Sequence, residues 1–66
     1  MTGIPQNVEV TRRTRGASEY YFVLNHEDQP VAVKPGAGYY DVLADAPAPA
    51  SFTLEPFGYR VLRRGM

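Results

Sequence analysis

The sequence predicts an all-β fold, a small antiparallel β-sandwich or barrel of about six strands. Six prolines and six glycines separate short runs rich in Val, Tyr, Phe, Leu and Thr, a composition typical of strands. Several of these runs alternate between apolar and polar residues, as half-buried strands do. Apolar spacing of three and four residues does not persist over a helical length, so no helix is predicted.

The predicted strands, in chain order, are residues 7–11, 19–26, 30–34, 39–45, 51–55 and 58–64. In the first strand, Val8 and Val10 face one way and the intervening polar residues face the other. In the second, residues 20–24 form an unbroken apolar run, which predicts a central strand covered on both faces.

The segments between these strands have the composition of turns. Gly16 lies in a polar segment that links the first two strands as a hairpin, and residues 26–30 end in a proline, as tight turns often do. Pro35 and Gly36 form the next turn. The Pro-Ala alternation of residues 44–50 predicts an extended loop without helix.

The last two strands are interrupted by Pro56 and Gly58. Proline cannot donate to a strand ladder, and glycine adopts backbone angles closed to other residues, so this break predicts a sharp corner between two sheets. We expect Leu54 to point into one layer and Val61 into the other.

The length of 66 residues limits the chain to one domain, residues 1–66, with a thin core. Cysteine is absent and His26 is the only histidine, so we expect no disulfide, no metal site and no cofactor. The lack of cysteine is consistent with a cytoplasmic location. No apolar run approaches the roughly 20 residues of a membrane span, and no signal peptide is recognisable.

No residue pattern points to catalysis. The carboxylates are Glu9, Glu19, Glu27, Asp28, Asp41, Asp45 and Glu55. They lie at predicted turns and polar strand faces, and a thin core offers no deep cleft for an acid/base pair. His26 lacks a nucleophile in a recognisable motif, so we expect Asn25 and His26 to satisfy backbone groups where the second strand turns into the third.

The five tyrosines could form a carbohydrate-binding platform. Neighbouring residues on a strand face opposite sides, so one ring of each adjacent pair should be exposed. The candidates for a sugar-stacking platform are Tyr21, Tyr39 and Tyr40.

The arginines occur in two clusters. These are Arg12, Arg13 and Arg15 near the start, and Arg60, Arg63 and Arg64 at the end. They would form one patch if the first and last strands were neighbours. With exposed tyrosines, such a patch could bind single-stranded nucleic acid, but zero net charge argues against that function.

The order of these segments resembles the C-terminal domain of glycoside hydrolase family 42 β-galactosidases. The resemblance rests on a Val-Glu-Val strand, a Leu-Asn-His turn, an Asp-Val-Leu strand and a Leu-x-Pro-x-Gly-x-x-Val-Leu ending. In this sequence they are residues 8–10, 24–26, 41–43 and 54–62. The resemblance covers roughly residues 5 to 63.

This resemblance implies that residues 1–66 are the excised C-terminal domain of a larger glycosidase. Its catalytic glutamates would lie in a separate (β/α)₈ barrel, and this domain would stabilise or close the multidomain enzyme. Arginine suits paired contacts with carboxylates across such an interface. We expect Arg12, Arg13, Arg60 and Arg63 to include interdomain docking residues. The alternatives are a carbohydrate-binding module with a tyrosine platform and, more weakly, a small nucleic-acid-binding barrel.

Overall fold

A computed structural model describes residues 3–65 of the chain and contains two antiparallel β-sheets. The strands are β1 (Val8–Arg15), β2 (Ser18–Asn25), β3 (Val31–Val33), β4 (Tyr40–Asp41), β5 (Ala46–Pro47), β6 (Phe52–Leu54) and β7 (Tyr59–Gly65). The large sheet has the order β1-β2-β7-β4-β5, and the small sheet pairs β3 with β6. The prediction of an all-β antiparallel fold is confirmed.

The core lies between the small sheet and one face of the large sheet. Its buried apolar residues are Val8, Tyr21, Val23, Val33, Tyr39, Leu54 and Leu62. The rings of Tyr21 and Tyr39 pack edge to face, with centroids 5.4 Å apart. Burying one Leu or Val side chain contributes about 1.5–3 kcal/mol, so a core this small leaves little excess stability.

Strand β2 lies between β1 and β7, as its apolar run suggested, but only one of its faces is covered. Tyr21 and Val23 are buried, whereas Phe22 and Leu24 are each more than one-third exposed. The prediction of cover on both faces is therefore wrong. The small sheet is a single layer, and it packs on one side of the large sheet.

The predicted corner between sheets is confirmed, because the chain passes from β6 in the small sheet to β7 in the large one. Two details differ. The left-handed backbone angle belongs to Phe57, with φ of 54°, and Gly58 is needed because a Cβ there would lie 2.9 Å from the carbonyl oxygen of Glu55. The core residue of β7 is Leu62, while Val61 faces away from the small sheet.

The fourth predicted strand is shorter than expected. The ladder of β4 ends after Asp41, whose Oδ1 accepts hydrogen bonds from the amides of Leu43 and Ala44, both at 3.1 Å. A side chain that satisfies the following amides competes with strand pairing, so the chain turns there. Part of the Pro-Ala segment, predicted as a loop, forms the edge strand β5.

Asn25 connects two loops at one end of the sandwich. Its side chain is buried, and its Nδ2 donates to the carbonyl oxygens of Gln29 at 2.8 Å and Glu55 at 2.9 Å. Its Oδ1 accepts a hydrogen bond from the Glu27 amide at 2.9 Å. The prediction that Asn25 satisfies backbone groups after the second strand is confirmed, and the contact with Glu55 also ties the corner before β7 to this loop.

Candidate functional site

The face of the large sheet that points away from the small sheet is the candidate functional site. Residues directly opposite one another in neighbouring strands share a face, so the register defines this surface. The outer face includes Glu9, Thr11, Arg13, Arg15, Ser18, Tyr20, Phe22, Leu24, Tyr40, Tyr59, Val61 and Arg63. Each of these residues alternates along its strand with a residue that points towards the small sheet.

Apolar side chains occupy the centre of the outer face. Phe22 is 37% exposed, Leu24 is 38% exposed and Tyr59 is 56% exposed, and Val61 beside Phe22 is half-buried. Monomeric proteins rarely leave large contiguous apolar patches open, and exposed apolar patches commonly mark interaction sites. The outer face therefore has the character of an interface.

A row of alternating arginines and tyrosines crosses the outer face beside this apolar centre. The register places Tyr20 opposite Arg13 on one side and Arg63 on the other, and Arg63 lies opposite Tyr40. The guanidinium of Arg63 lies 4.8 Å from the ring centroid of Tyr40, within cation–π range. This contact holds one cation of the row against the sheet.

The hydroxyl of Tyr40 donates a hydrogen bond to Oδ1 of Asp45 at 2.5 Å. This hydrogen bond favours the neutral phenol, and together with desolvation and the Asp45 charge it raises the pKa of Tyr40, while nearby Arg63 opposes the shift. Tyr40 therefore stays an uncharged hydrogen-bond donor, and its ring faces the Arg63 guanidinium.

The predicted docking arginines do not share one surface. Arg13 and Arg63 lie on the outer face, both exposed. Strand β2 separates β1 from β7, so the first and last strands are not neighbours, and Arg13 and Arg63 meet across Tyr20 instead.

The other two predicted docking arginines point to the inner side of the large sheet and make contacts within the chain. Arg12 pairs with Glu19 at 3.1 Å. The half-buried Arg60 has its Nε 4.0 Å from Asp41, and its guanidinium lies 5.9 Å from the ring centroid of Phe52. The structure thus brings Arg13 and Arg63 together and leaves Arg12 and Arg60 outside the outer face.

The three predicted platform tyrosines likewise fall into different environments. Tyr21 and Tyr39 are buried at 8% and 5% exposure, and they pack on each other in the core. Tyr40 is half-buried beneath Arg63. The structure therefore does not present these three rings together as an open platform, because Tyr21 and Tyr39 pack in the small core.

The sequence interpretation missed the exposed side chains Phe22, Leu24 and Tyr59 as candidate site residues. The signal was present in residues 20–24, since an apolar run on a strand with one covering layer must leave half its side chains uncovered. The prediction for this run was a strand covered on both faces, which would have buried all of these side chains.

His26 makes a side-chain contact that the sequence interpretation did not anticipate. Its Nε2 lies 2.8 Å from Oε1 of Glu9, and both side chains are exposed, so the expectation that this ring satisfies backbone groups is wrong. Among residues 3–65, no group of three or more His, Cys, Asp and Glu residues could hold a metal ion. No helix within that range is long and apolar enough to cross a membrane.

Comparisons with known proteins place the chain in a family. The family model for the β-galactosidase C-terminal domain matches residues 7–64. β-Galactosidase BgaA from Planococcus sp. (strain 'SOS Orange') is 32% identical over 62 residues, a match that covers 92% of this chain and 9% of that protein.

A solved structure gives the same result. The crystal structure of β-galactosidase from Bacillus circulans sp. alkalophilus matches with a TM-score of 0.85 and 29% identity, over 92% of this chain and 9% of that one. The chain thus spans 9% of the length of each of these two enzymes. The fold, the family model and both relatives agree with the motif resemblance, and the chain belongs to the family of β-galactosidase C-terminal domains.

Proposed function

We propose that this chain is a non-catalytic C-terminal accessory domain of a β-galactosidase that hydrolyses terminal β-D-galactosides. Its function is structural: it packs on other domains of the parent enzyme and stabilises the multidomain assembly. Two β-galactosidases each match this chain over only 9% of their length, which supports a parent whose catalytic residues lie in other domains. A cytoplasmic location is part of the proposal, supported by a sequence without cysteine.

One observation carries this proposal: the outer face leaves Phe22, Leu24 and Tyr59 open to solvent beside half-buried Val61. A chain of this size buries only about 60% of the surface its unfolded form exposes, so further burial against a neighbour adds stability that its own core lacks. Aromatic residues and arginine are enriched at protein interfaces, and the outer face contains both. We therefore propose the outer face as the surface that contacts the parent enzyme.

The experiment for the proposed function is the mass of the native polypeptide, captured from its source cells with an antibody raised against this domain. A polypeptide several-fold larger than 7.3 kDa, with β-galactosidase activity in the captured fraction, is the expected result. A stand-alone product near 7.3 kDa would remove the parent enzyme and with it the structural function.

Titration with galactosides tests the alternative of a carbohydrate-binding module. Sugar stacking on an exposed ring changes tyrosine fluorescence, whereas an accessory domain that only docks shows no saturable change. Because Tyr21 and Tyr39 are buried and Tyr40 is half-buried beneath Arg63, the three rings form no open platform, and we expect no saturable change.

A further inference from the structure

The zero net charge of the chain conceals a separation of charge between the two ends of the large sheet. Antiparallel pairing brings the last residues of β1, the first residues of β2 and the last residues of β7 to the same end. This cationic end contains Arg12, Arg13, Arg15, Arg63 and Arg64, together with two acids, Glu19 and the Asp45 that contacts Tyr40. The two arginine clusters of the sequence, without Arg60, thus meet at one end of the sheet although β1 and β7 are not neighbours.

The opposite end of the sheet is acidic. It contains Glu9, Glu27, Asp28 and Glu55, together with His26, and the nearest arginine, Arg60, faces Asp41 on the inner side of the sheet. Four residues separate the register row of Glu9 from that of Arg13 and Arg63, which at a rise of about 3.3 Å per residue is about 13 Å. This distance exceeds the Debye length of about 8 Å at physiological salt, so a partner at the cationic end experiences little of the acidic charge.

The cationic end has more positive charge than its two acids, Glu19 and Asp45, can balance. Glu19 pairs with Arg12 at 3.1 Å. Arg63 and Arg64 lie over the rings of Tyr40 and Tyr39, with centroid distances of 4.8 and 5.4 Å. These ring contacts orient the two guanidiniums, and neither forms an ion pair with a carboxylate of residues 3–65, so a carboxylate from outside the chain can pair with them.

The cationic end continues directly into the apolar centre of the outer face. A shallow groove there is lined by Arg13, Thr14, Arg15, Tyr20 and Phe22. Arginine guanidinium groups beside aromatic rings can bind a carboxylate side chain whose neighbours are apolar. Such a combination is typical of a folded acidic protein surface.

We propose that the cationic end binds an acidic surface on the part of the parent enzyme that precedes this domain, with Arg13 and Arg63 pairing with its carboxylates on either side of Tyr20. This inference rests on the proposed function and adds the chemistry of the partner surface. The matched relatives extend far beyond this region, so a covalently linked partner is available, and linkage raises its effective concentration. A neutral chain with an acidic end matches a protein partner better than a nucleic acid.

The test is made in the full parent polypeptide with three variants. The first is Arg13→Glu/Arg63→Glu. The matched control is Lys34→Glu, which reverses an exposed lysine that lies beside the small sheet and outside the outer face. The third, Phe22→Ser/Leu24→Ser, disrupts the apolar centre and so tests the proposed function itself.

The readout is the rate of limited proteolysis at the domain boundary, together with calorimetric unfolding. For Arg13→Glu/Arg63→Glu we expect cleavage to rise about tenfold or more, since a lost interfacial charge pair leaves its partner unpaired. We also expect a separate early unfolding transition for this domain. Lys34→Glu should behave like the parent, and raising the salt concentration should move the parent towards the arginine variant.

Each of the other outcomes contradicts either the acidic partner surface or the docking of the outer face. If only Phe22→Ser/Leu24→Ser increases cleavage, the outer face docks but the acidic partner surface is wrong. If none of the three variants does, the outer-face docking of the proposed function is wrong as well. Saturable binding of single-stranded DNA to the wild-type chain at physiological salt, lost in the arginine variant, would replace the protein partner with nucleic acid.

A folding control accompanies the arginine variant. Circular dichroism of the 66-residue chain with the same substitutions should match the wild type, since both side chains are exposed. If the double variant loses its fold, Arg13→Gln alone provides the test, because it removes one charge without introducing repulsion. An unchanged cleavage rate for this single variant would also contradict the proposal.

Discussion

The two faces of the large sheet are both apolar at their centres, yet residues 3–65 cover only one of them. On the inner face, Val23 and Leu62 are each 1% exposed beneath the small sheet. On the outer face, Phe22 and Leu24 follow the same strand and remain open. The difference shows that an apolar strand face indicates burial without specifying whether the cover comes from the same domain or from a neighbour. In a domain this thin, we propose that the second face is covered by a neighbouring domain of the parent enzyme.

The largest expected contrast between the faces comes from two adjacent residues of β7. Leu62→Ala should lower the free energy of unfolding by about 2–5 kcal/mol, because it leaves a cavity in the core. Val61→Ala on the outer face should cost less than about 1 kcal/mol in the isolated chain, because solvent already reaches that side of the sheet. Urea denaturation of both variants measures the difference, and equal losses would contradict the assignment of faces.

The next contrast concerns the buried Asn25 and the exposed His26 beside it. Asn25→Ala removes three part-buried hydrogen bonds that join the two loops, each worth about 0.5–1.5 kcal/mol. His26→Ala removes only an exposed contact with Glu9, worth about 0–1 kcal/mol. Thermal unfolding followed by circular dichroism should rank them in this order. The reverse order would show that the two loops are not joined through Asn25.

A pH titration sharpens the description of the arginine-tyrosine row. The folded-state pKa of Tyr40 is raised by its hydrogen bond to Asp45, so this contribution to stability is fully present below the unfolded pKa of about 10. It is lost as pH rises through the higher folded value. Absorbance of the phenolate near 295 nm should show one tyrosine that ionises later than in Asp45→Asn. Identical titrations of the two proteins would argue against the hydrogen bond.

The smallest expected effect concerns Arg12, which was predicted for docking but pairs with Glu19 inside the chain. Arg12→Met should change the free energy of unfolding by about 0.2–1 kcal/mol, as exposed ion pairs usually do. In the parent polypeptide it should not increase cleavage at the domain boundary, unlike Arg13→Glu/Arg63→Glu. Cleavage as fast as in that double variant would place Arg12 in the interface.

Much of the fold could be predicted from local residue chemistry. Three predictions of this kind are confirmed: a strand from the alternation in residues 7–11, a hairpin at Gly16 and a corner at Pro56. In each case the local residues favour the backbone conformation that the structure shows. Val61 was predicted to point into a layer of the core, but the core residue is Leu62, one position later. The corner's turn sets that register, and a shift of one residue reverses every side chain of a strand.

The candidate site could be predicted only in part. The sequence pointed to Arg13 and Arg63 as docking residues, but it could not separate them from Arg12 and Arg60, which lie on the inner side of the large sheet. That separation depends on the pairing of β1, β2 and β7, which are far apart along the chain. The tyrosine platform was misplaced for the same reason, because the small sheet decides that Tyr21 and Tyr39 are buried.

Oxidative footprinting with mass spectrometry can compare side-chain exposure in the 66-residue chain and in the full parent polypeptide. We expect Phe22 and Tyr59 to be modified in the isolated chain and protected in the parent, while buried Tyr21 and Tyr39 are protected in both. If Phe22 and Tyr59 are modified equally fast in the two samples, the outer face is open in the assembled enzyme and is not the docking surface.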